Sequence, residues 1–245
     1  MMTDNDKTFR QLQKSSQKEI DDFLGKVNRL ATTPKNSQAK LIFGIDATAS
    51  RQPTWDTACH IQSDMFTATQ SLGGIQTQLC YYKGFHEFYS SPWLSQTTQL
   101  QKLMSSVFCA AGHTQISKIL NHALKENKLD TVSGVIFIGD TIEESADNLC
   151  DLAGKLGLQS VPVFIFHEKT QGIPINPNAV QNVEGIFRQM TKLSGGAYCS
   201  FDLNSSQKLA ELLRAVAVYA TGGKKALANL KKKSPGAALL LGQLK

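Results

Sequence analysis

Short, almost wholly apolar runs alternate along this chain with longer stretches in which apolar side chains recur every three or four positions. The apolar runs predict strands buried on both faces, and the longer stretches predict amphipathic helices. The predicted strands are residues 41–45, 75–82, 87–90, 132–138, 161–166 and 197–201, the third of them a short edge strand. The predicted helices are residues 55–69, 96–109, 115–126, 143–156, one that ends near 193, and 205–219. This alternation predicts an α/β fold, a three-layer, doubly wound and mostly parallel central sheet covered by helices.

Composition divides the chain into three segments. Residues 1–39 hold a predicted amphipathic helix that ends before Pro34, followed by a linker. Residues 40–221 carry every predicted strand and form the main domain, and residues 222–245 form a tail that is first basic and then apolar. No run reaches the roughly 18 apolar residues of a membrane span, and no apolar stretch follows the polar N-terminus as a secretory signal requires.

The net charge of +6 at first suggests contact with nucleic acid or an anionic membrane. Six of the 26 basic residues lie in the tail, which holds no acid, so the first 221 residues carry 20 basic and 20 acidic side chains. Contact with nucleic acid or membrane is therefore an option for the 222–245 tail alone. Docking of the tail's leucine cluster on this or another protein, and a plain solvated tail, are the alternatives that the sequence leaves open.

The five cysteines are widely spaced and form no Cys-x-x-Cys pair. An odd number of isolated cysteines fits neither a disulfide framework nor a zinc cluster. Such cysteines are typical of proteins in a reducing compartment, so the sequence predicts a cytoplasmic protein.

Polar side chains follow two of the predicted buried strands. Asp46 and Asp140 each come at the end of an apolar run, Thr48 and Ser50 follow Asp46 at alternate positions, and Thr114 lies in a loop before a helix. In open parallel sheets, ligands bind outside the carboxyl ends of the strands, where these residues are expected. Two carboxylates and three hydroxyls form an all-oxygen set that suits Mg²⁺, with Mn²⁺ or Ca²⁺ as alternatives.

The arrangement Asp-x-Thr-x-Ser after the first strand, with a later loop threonine and an aspartate after the fourth strand, resembles the metal-ion-dependent adhesion site of von Willebrand factor A (VWA) domains. The resemblance covers roughly residues 40–221 and includes the Gly-Gly turn before the last strand. The segment from Ser50 to Trp55 resembles bacterial intracellular members of this family. The resemblance implies a Rossmann-like VWA fold with one antiparallel edge strand.

The resemblance also implies a role for each of the five residues. Thr48 and Ser50 would bind the ion through their hydroxyls, and Thr114 would reach it directly or through water. Asp46 and Asp140 would act largely through water, or as hydrogen-bond acceptors for the groups that bind the ion. One coordination position would stay open for an acidic side chain of a protein partner, so the predicted function is a non-catalytic, metal-dependent protein-binding module.

Other residues near these loops are weaker candidates. Arg51 and Trp55 follow the predicted metal loop and are candidates for partner contact, because arginine and tryptophan are enriched at interface centres. A core position for Trp55 is equally compatible with the sequence. His113 precedes Thr114 and is a candidate for the rim of the partner surface, with an uninvolved loop histidine as the alternative.

A rival hypothesis from another class is a Mg²⁺-dependent phosphohydrolase or phosphoacceptor that uses Asp46 as its nucleophile or acceptor. Haloacid-dehalogenase-like phosphatases have a second acid two residues later, and this chain has Thr48 there. The sequence also lacks a Walker-type phosphate loop, a G-x-G-x-x-G fingerprint and a G-x-S-x-G elbow. The binding module is therefore the preferred prediction.

Overall fold

A computed structural model of the chain describes residues 38–61, 67–69, 72–169, 182–201, 206–232 and 234–244. The amphipathic helix predicted before Pro34 lies outside these residues. The strands are β1 (Ala39–Asp46), β2 (Ile75–Lys83), β3 (Glu87–Ser90), β4 (Gly134–Gly139), β5 (Val163–Glu168) and β6 (Tyr198–Phe201). The helices are α1 (Gln52–Ile61), α2 (Thr97–Ser105), α3 (Ile116–Leu129), α4 (Ala146–Leu158), α5 (Val183–Ser194), α6 (Ser206–Lys231) and α7 (Pro235–Leu241), with a 3-10 turn at Ala49–Arg51 between β1 and α1.

The strands form one sheet in the order β3-β2-β1-β4-β5-β6. β1 lies between β2 and β4 and is parallel to both, and β5 and β6 continue the parallel arrangement. β3 is the exception, because a tight turn at Gly84 (φ 57°) folds it back antiparallel to β2 at the edge of the sheet. The predicted fold class, including the antiparallel edge strand, is confirmed.

Helices cover both faces of the sheet because the central strands bury side chains in both directions. On β1, Leu41, Phe43 and Ile45 pack into the core shared with α1, α2, α6 and α7, and Ile42 packs into the core shared with α3, α4 and α5. Gly44 leaves the space that the Ile119 side chain of α3 occupies on the second face. The result is the three-layer arrangement expected for near-continuous apolar strands.

The predicted boundary at Gly222 does not separate a tail from the body. α6 runs on to Lys231 across a kink at Gly223 (φ 65°), and α7 packs beside it. Leu227 and Leu240 are fully buried in the same core as the sheet. The reason is that apolar side chains recur at helical spacing among the lysines, so that one face of the helix is buried while Lys224, Lys225, Lys231 and Lys232 stay exposed.

None of the helices within the described ranges combines the length and the apolarity that a membrane crossing requires.

Candidate functional site

The site lies at the carboxyl ends of two neighbouring strands. Asp46 is the last residue of β1, and Asp140 directly follows β4, which pairs with β1. A methyl group on Gly139, the last residue of β4, would lie 2.7 Å from the Phe137 ring of the same strand and at an ordinary contact distance of 3.6 Å from Cβ of Asp46. The pairing of β1 with β4 brings the two predicted carboxylates to the same edge of the sheet, close enough for the charge of Asp140 to act on Asp46.

Asp46 is buried without full compensation of its charge. Its side chain is 0% exposed, Oδ1 accepts a hydrogen bond from the backbone N–H of Thr48 at 2.8 Å, and Oδ2 has no hydrogen-bond partner among the described residues. The pKa of Asp46 is raised to about 6, because burial and, to a smaller extent, the charge of Asp140 outweigh the hydrogen bonds from Thr48, which lower it. The buried hydroxyl of Tyr82 lies close by, and its pKa is held well above its usual value by burial and by the charge of Asp46.

Asp140 has one paired and one unpaired carboxylate oxygen. Its Oδ2 lies 3.1 Å from Nη2 of Arg51, whereas Oδ1 is buried with no hydrogen-bond partner among the described residues. Buried carboxylate oxygens normally have partners, because an unsatisfied one costs about 1–3 kcal/mol or more. Two such oxygens, on Asp46 and on Asp140, therefore lie at adjacent strand ends.

The loop after β1 carries the two predicted hydroxyl ligands. Thr48 is nearly buried and pairs with Ala110 in an isolated parallel bridge, which joins this loop to the segment before α3. Ser50 is exposed, and its Oγ accepts a hydrogen bond from Nε of Arg51 at 3.3 Å. The backbone N–H of Arg51 donates to the carbonyl of Thr48 at 2.9 Å, which fixes the turn between them.

Thr114 is held by a reciprocal pair of hydrogen bonds to the loop after β4. Its N–H donates to Oε2 of Glu143, and its Oγ1 accepts from the N–H of Glu143, both at 2.8 Å. Glu144 accepts from the N–H groups of Ile116 and Ser117, so it stabilises the N-terminus of α3. These contacts place Thr114 beside the Asp140 loop, and the hydroxyl keeps its own proton and a second lone pair for another contact.

His167 supports the backbone of Asp140 from the next strand. Its Nε2 lies 3.0 Å from the carbonyl of Asp140 and its Nδ1 lies 2.8 Å from the hydroxyl of Tyr198. Burial lowers the pKa of His167, which favours the neutral ring. Since a carbonyl only accepts, Nε2 carries the proton and Nδ1 accepts from Tyr198.

The three residues predicted for partner contact have different positions. Trp55 is 1% exposed, donates from Nε1 to the carbonyl of Met104 at 2.8 Å and packs edge-to-face on Tyr81, so it belongs to the core. Arg51 is 2% exposed and faces the interior. Neither side chain presents a surface to a partner in this conformation. The His113 side chain is 62% exposed and lies 3.4 Å from Glu143, at the rim beside Thr114.

Glu168 is a member of the site that the sequence did not indicate. It is the last residue of β5, is 1% exposed, and binds Nη1 of Arg51 through Oε2 at 2.5 Å. The same rule that selected Asp46 and Asp140, a polar residue where a buried strand ends, applies to Glu168 as well. It was missed because the predicted strand stopped at Phe166, two residues too early.

The donor set is one of oxygens. In the part of the chain that the structure describes, no three His, Cys, Asp or Glu side chains come together as a metal-binding group. The predicted set instead combines two carboxylates with hydroxyls, which is the chemistry of a site for a hard cation. The unpartnered oxygens of Asp46 and Asp140 fit such an ion, because it would supply the positive partner that they lack.

Comparison with known proteins gives a result for the fold. No protein-family model matches the sequence, and no curated protein matches it. Among solved structures, the VWA domain of SpRpn10 aligns with a TM-score of 0.52 at 12% identity, over 71% of this chain and 95% of that one. A von Willebrand factor type A structure from Catenulispora acidiphila aligns with a TM-score of 0.54 at 14% identity, over 76% of this chain and 43% of that one. The pilus adhesin SpaC from Lactobacillus rhamnosus GG, in an open conformation, aligns with a TM-score of 0.55 at 11% identity, over 75% of this chain and 31% of that one.

The strand order and the placement of the site define a doubly wound α/β domain with polar residues at the carboxyl ends of its central strands. The structural neighbours specify that class further: the chain has the von Willebrand factor A fold. At these identities the likeness concerns the fold alone.

Proposed function

We propose that this chain is a non-catalytic protein-binding domain that holds a divalent cation at the ends of β1 and β4 and uses it to capture a carboxylate of a protein partner. The observation that carries the proposal is the pair of buried, unpartnered carboxylate oxygens, Oδ2 of Asp46 and Oδ1 of Asp140. Mg²⁺ is the preferred ion, and Mn²⁺ and Ca²⁺ are the alternatives.

The charges of the site support a divalent ion. Asp46, Asp140 and Glu168 contribute three negative charges when ionised, and the buried Arg51 guanidinium neutralises one of them. These four side chains together carry a charge of −2, which a divalent cation would balance. Ionised Asp46 is costly in the metal-free site, as its raised pKa indicates, and a bound cation would remove that cost.

The hydroxyls would complete the metal site in the way that the VWA resemblance implies. Thr48 and Ser50 would bind through Oγ, and Thr114 would act directly or through water. When bound, the ion would supply a Lewis-acidic position that accepts an oxygen ligand. Hydroxyl ligands leave the ion more of its charge than carboxylates do, so an incoming carboxylate would bind favourably at an open position.

The phosphohydrolase or phosphoacceptor alternative is less favoured by the geometry. Asp46 is 0% exposed, and its Oδ1 is engaged by the backbone of Thr48. A nucleophile or acceptor must approach phosphorus in line, which a fully buried carboxylate with one oxygen occupied does not readily allow. We therefore propose a binding function and no enzymatic activity, and we retain the proposal of a cytoplasmic protein.

Metal-dependent capture tests this function. The immobilised full chain is exposed to cell extract of the native organism in millimolar Mg²⁺ or in chelator. Captured proteins are identified, purified and titrated against the full chain. We expect one partner to bind in Mg²⁺, to be released by chelator, and to lose binding when one of its exposed acids is changed to the amide. Equal affinity in Mg²⁺ and chelator would contradict the mechanism. Asp46→Asn serves as the site variant and Asp56→Asn, on the exposed face of α1, as its control.

A further inference from the structure

The guanidinium of Arg51 contacts three different residues through its three nitrogens. Nε lies 3.3 Å from Oγ of Ser50, Nη1 lies 2.5 Å from Oε2 of Glu168, and Nη2 lies 3.1 Å from Oδ2 of Asp140. The Arg51 side chain is 3% exposed, and its ion pairs with Glu168 and Asp140 are largely shielded from water, whereas its contact with Ser50 is only partly buried. One buried cation therefore joins the loop after β1 to the ends of β4 and β5.

Two of the three contacts go to residues of the proposed metal site. Asp140 gives Oδ2 to Arg51, and this leaves Oδ1 as the unpartnered oxygen. Ser50 accepts one hydrogen bond at Oγ and keeps a second lone pair for another contact. The guanidinium thus engages Oδ2 of Asp140 and one lone pair of Ser50 Oγ, and it leaves Oδ1 and the second lone pair available for an ion.

Glu168 is the fixed end of this arrangement. It is 1% exposed at the end of β5, and the charge-assisted bond to Nη1 holds the guanidinium in place. A lysine would not substitute, because an ammonium is a compact point charge, whereas the planar guanidinium presents donors in a rigid fork.

We propose that Arg51, held in place by Glu168, is a positioning residue that assembles the metal site by orienting the side chains of Asp140 and Ser50. This inference rests on the proposed function. It replaces the predicted role of Arg51 in partner contact, because the side chain faces inward. It also gives Glu168 a role in the metal site, as the residue that holds Arg51 and not as a ligand.

Substitution of Arg51 also changes the charge near the metal site, and the experiment must separate this electrostatic effect from the loss of positioning. Arg51 alone is a positive charge that would repel a divalent ion, so removing it by itself changes both charge and geometry. Removing Arg51 and Glu168 together leaves the net charge of the site unchanged. The double variant Arg51→Gln/Glu168→Gln therefore isolates positioning.

The test is titration of the metal-free full chain with Mn²⁺ by calorimetry, together with the shift in Tm that Mn²⁺ produces. We expect the double variant to bind Mn²⁺ at least tenfold more weakly than the unmodified protein and to show a smaller Tm shift. A matched charge-neutral control is Lys40→Gln/Asp130→Asn, which removes an ion pair (2.8 Å) at the opposite end of β1 and should leave both readouts unchanged.

A second variant covers the case in which the double variant does not fold. Arg51→Lys keeps the charge but not the three contacts, and we expect at least fivefold weaker Mn²⁺ binding. If the pair only stabilised the fold, the variants would unfold at a lower temperature but would keep the Mn²⁺ affinity and the Mn²⁺-induced Tm shift of the unmodified protein. That result would overturn this inference and leave the proposed function standing. Absence of Mn²⁺ binding by the unmodified protein would overturn the proposed function and this inference with it.

Discussion

Replacement of Asp46 by asparagine is expected to make the metal-free protein more stable at neutral pH. The carboxylate is fully buried and its Oδ2 has no partner within the described residues, so its negative charge is poorly compensated when no cation is bound. Asparagine keeps the oxygen that accepts the hydrogen bond from Thr48 and removes the charge. The substitution should therefore relieve a cost of folding and at the same time abolish metal binding.

The magnitude follows from the pKa of Asp46. Its value of about 6 in the folded protein, against an ordinary value of 3.8, corresponds to about 3 kcal/mol of folding free energy lost at pH values above both. The folded state binds the proton more tightly than the unfolded state, so stability of the metal-free protein falls as the pH rises from about 4 to about 6. Above that window the loss is complete and constant.

Thermal unfolding in chelator at a series of pH values measures this effect. At pH 7.5 we expect Asp46→Asn to unfold about 6–12 °C higher than the unmodified protein, using the usual 2–4 °C per kcal/mol for a domain of this size. The Asp46-dependent loss of stability between pH 4 and 6 should be absent from the variant. Excess Mg²⁺ should raise the Tm of the unmodified protein and leave that of the variant unchanged.

The control is Asp56→Asn, which changes the same group at an exposed position of α1. It should leave the pH dependence and the response to Mg²⁺ intact. If Asp46→Asn were no more stable than the unmodified protein at pH 7.5 in chelator, the buried carboxylate would not be the uncompensated charge inferred from the structure.

Two further substitutions test the surroundings of the site and the edge of the sheet. Gly112→Ala places a methyl group 1.9 Å from the carbonyl oxygen of Gly84, so the loop that carries Thr114 must move. We expect at least tenfold weaker Mn²⁺ binding by calorimetry. Unchanged affinity would show that this loop does not contribute to the metal site. Gln243 accepts from the N–H and donates to the carbonyl of Tyr198, both at 2.8 Å, in the manner of a neighbouring strand at the β6 edge. Gln243→Ala should lower the free energy of unfolding in urea by about 1–3 kcal/mol and promote association seen by light scattering; wild-type stability with no association would refute that role.

The centre of the fold was predictable because β1 and β4 are short apolar runs, each followed by or ending at a polar residue. Leu41–Ile45 and Val132–Ile138 identify the two central strands and place Asp46 and Asp140 at their ends. The bounds of elements with a weaker boundary signal were predicted less accurately. For example, α4 begins three residues later than predicted, because Ser145 caps it by accepting a hydrogen bond from the N–H of Asn148.

The contacts of Arg51 were not predictable from local sequence. Its partners Asp140 and Glu168 lie 89 and 117 positions away along the chain, and only the strand order β1-β4-β5 brings them together. An arginine after a metal-binding loop is chemically suited to a partner surface and to an internal ion pair alike. The decision between them depends on burial, which a tertiary fold determines.

The C-terminal segment shows how average composition can mislead. Its lysines dominate the mean character of residues 222–245, so the domain boundary was predicted at Gly222, with docking of the leucine cluster on this or another protein left open as one alternative. Leu227 of α6, Leu240 of α7 and Leu244 are nevertheless buried against the domain, while Lys224, Lys225, Lys231 and Lys232 are exposed. Periodicity within the segment was the informative signal.

The central claim is that the strand ends of β1 and β4 bind one divalent cation. Calorimetric titration of the metal-free full chain with Mn²⁺ at pH 7.5 tests it most directly. We expect a single site in the unmodified protein that is lost in both Asp46→Asn and Asp140→Asn. No binding to the unmodified protein, or binding that survives both substitutions, would contradict the claim.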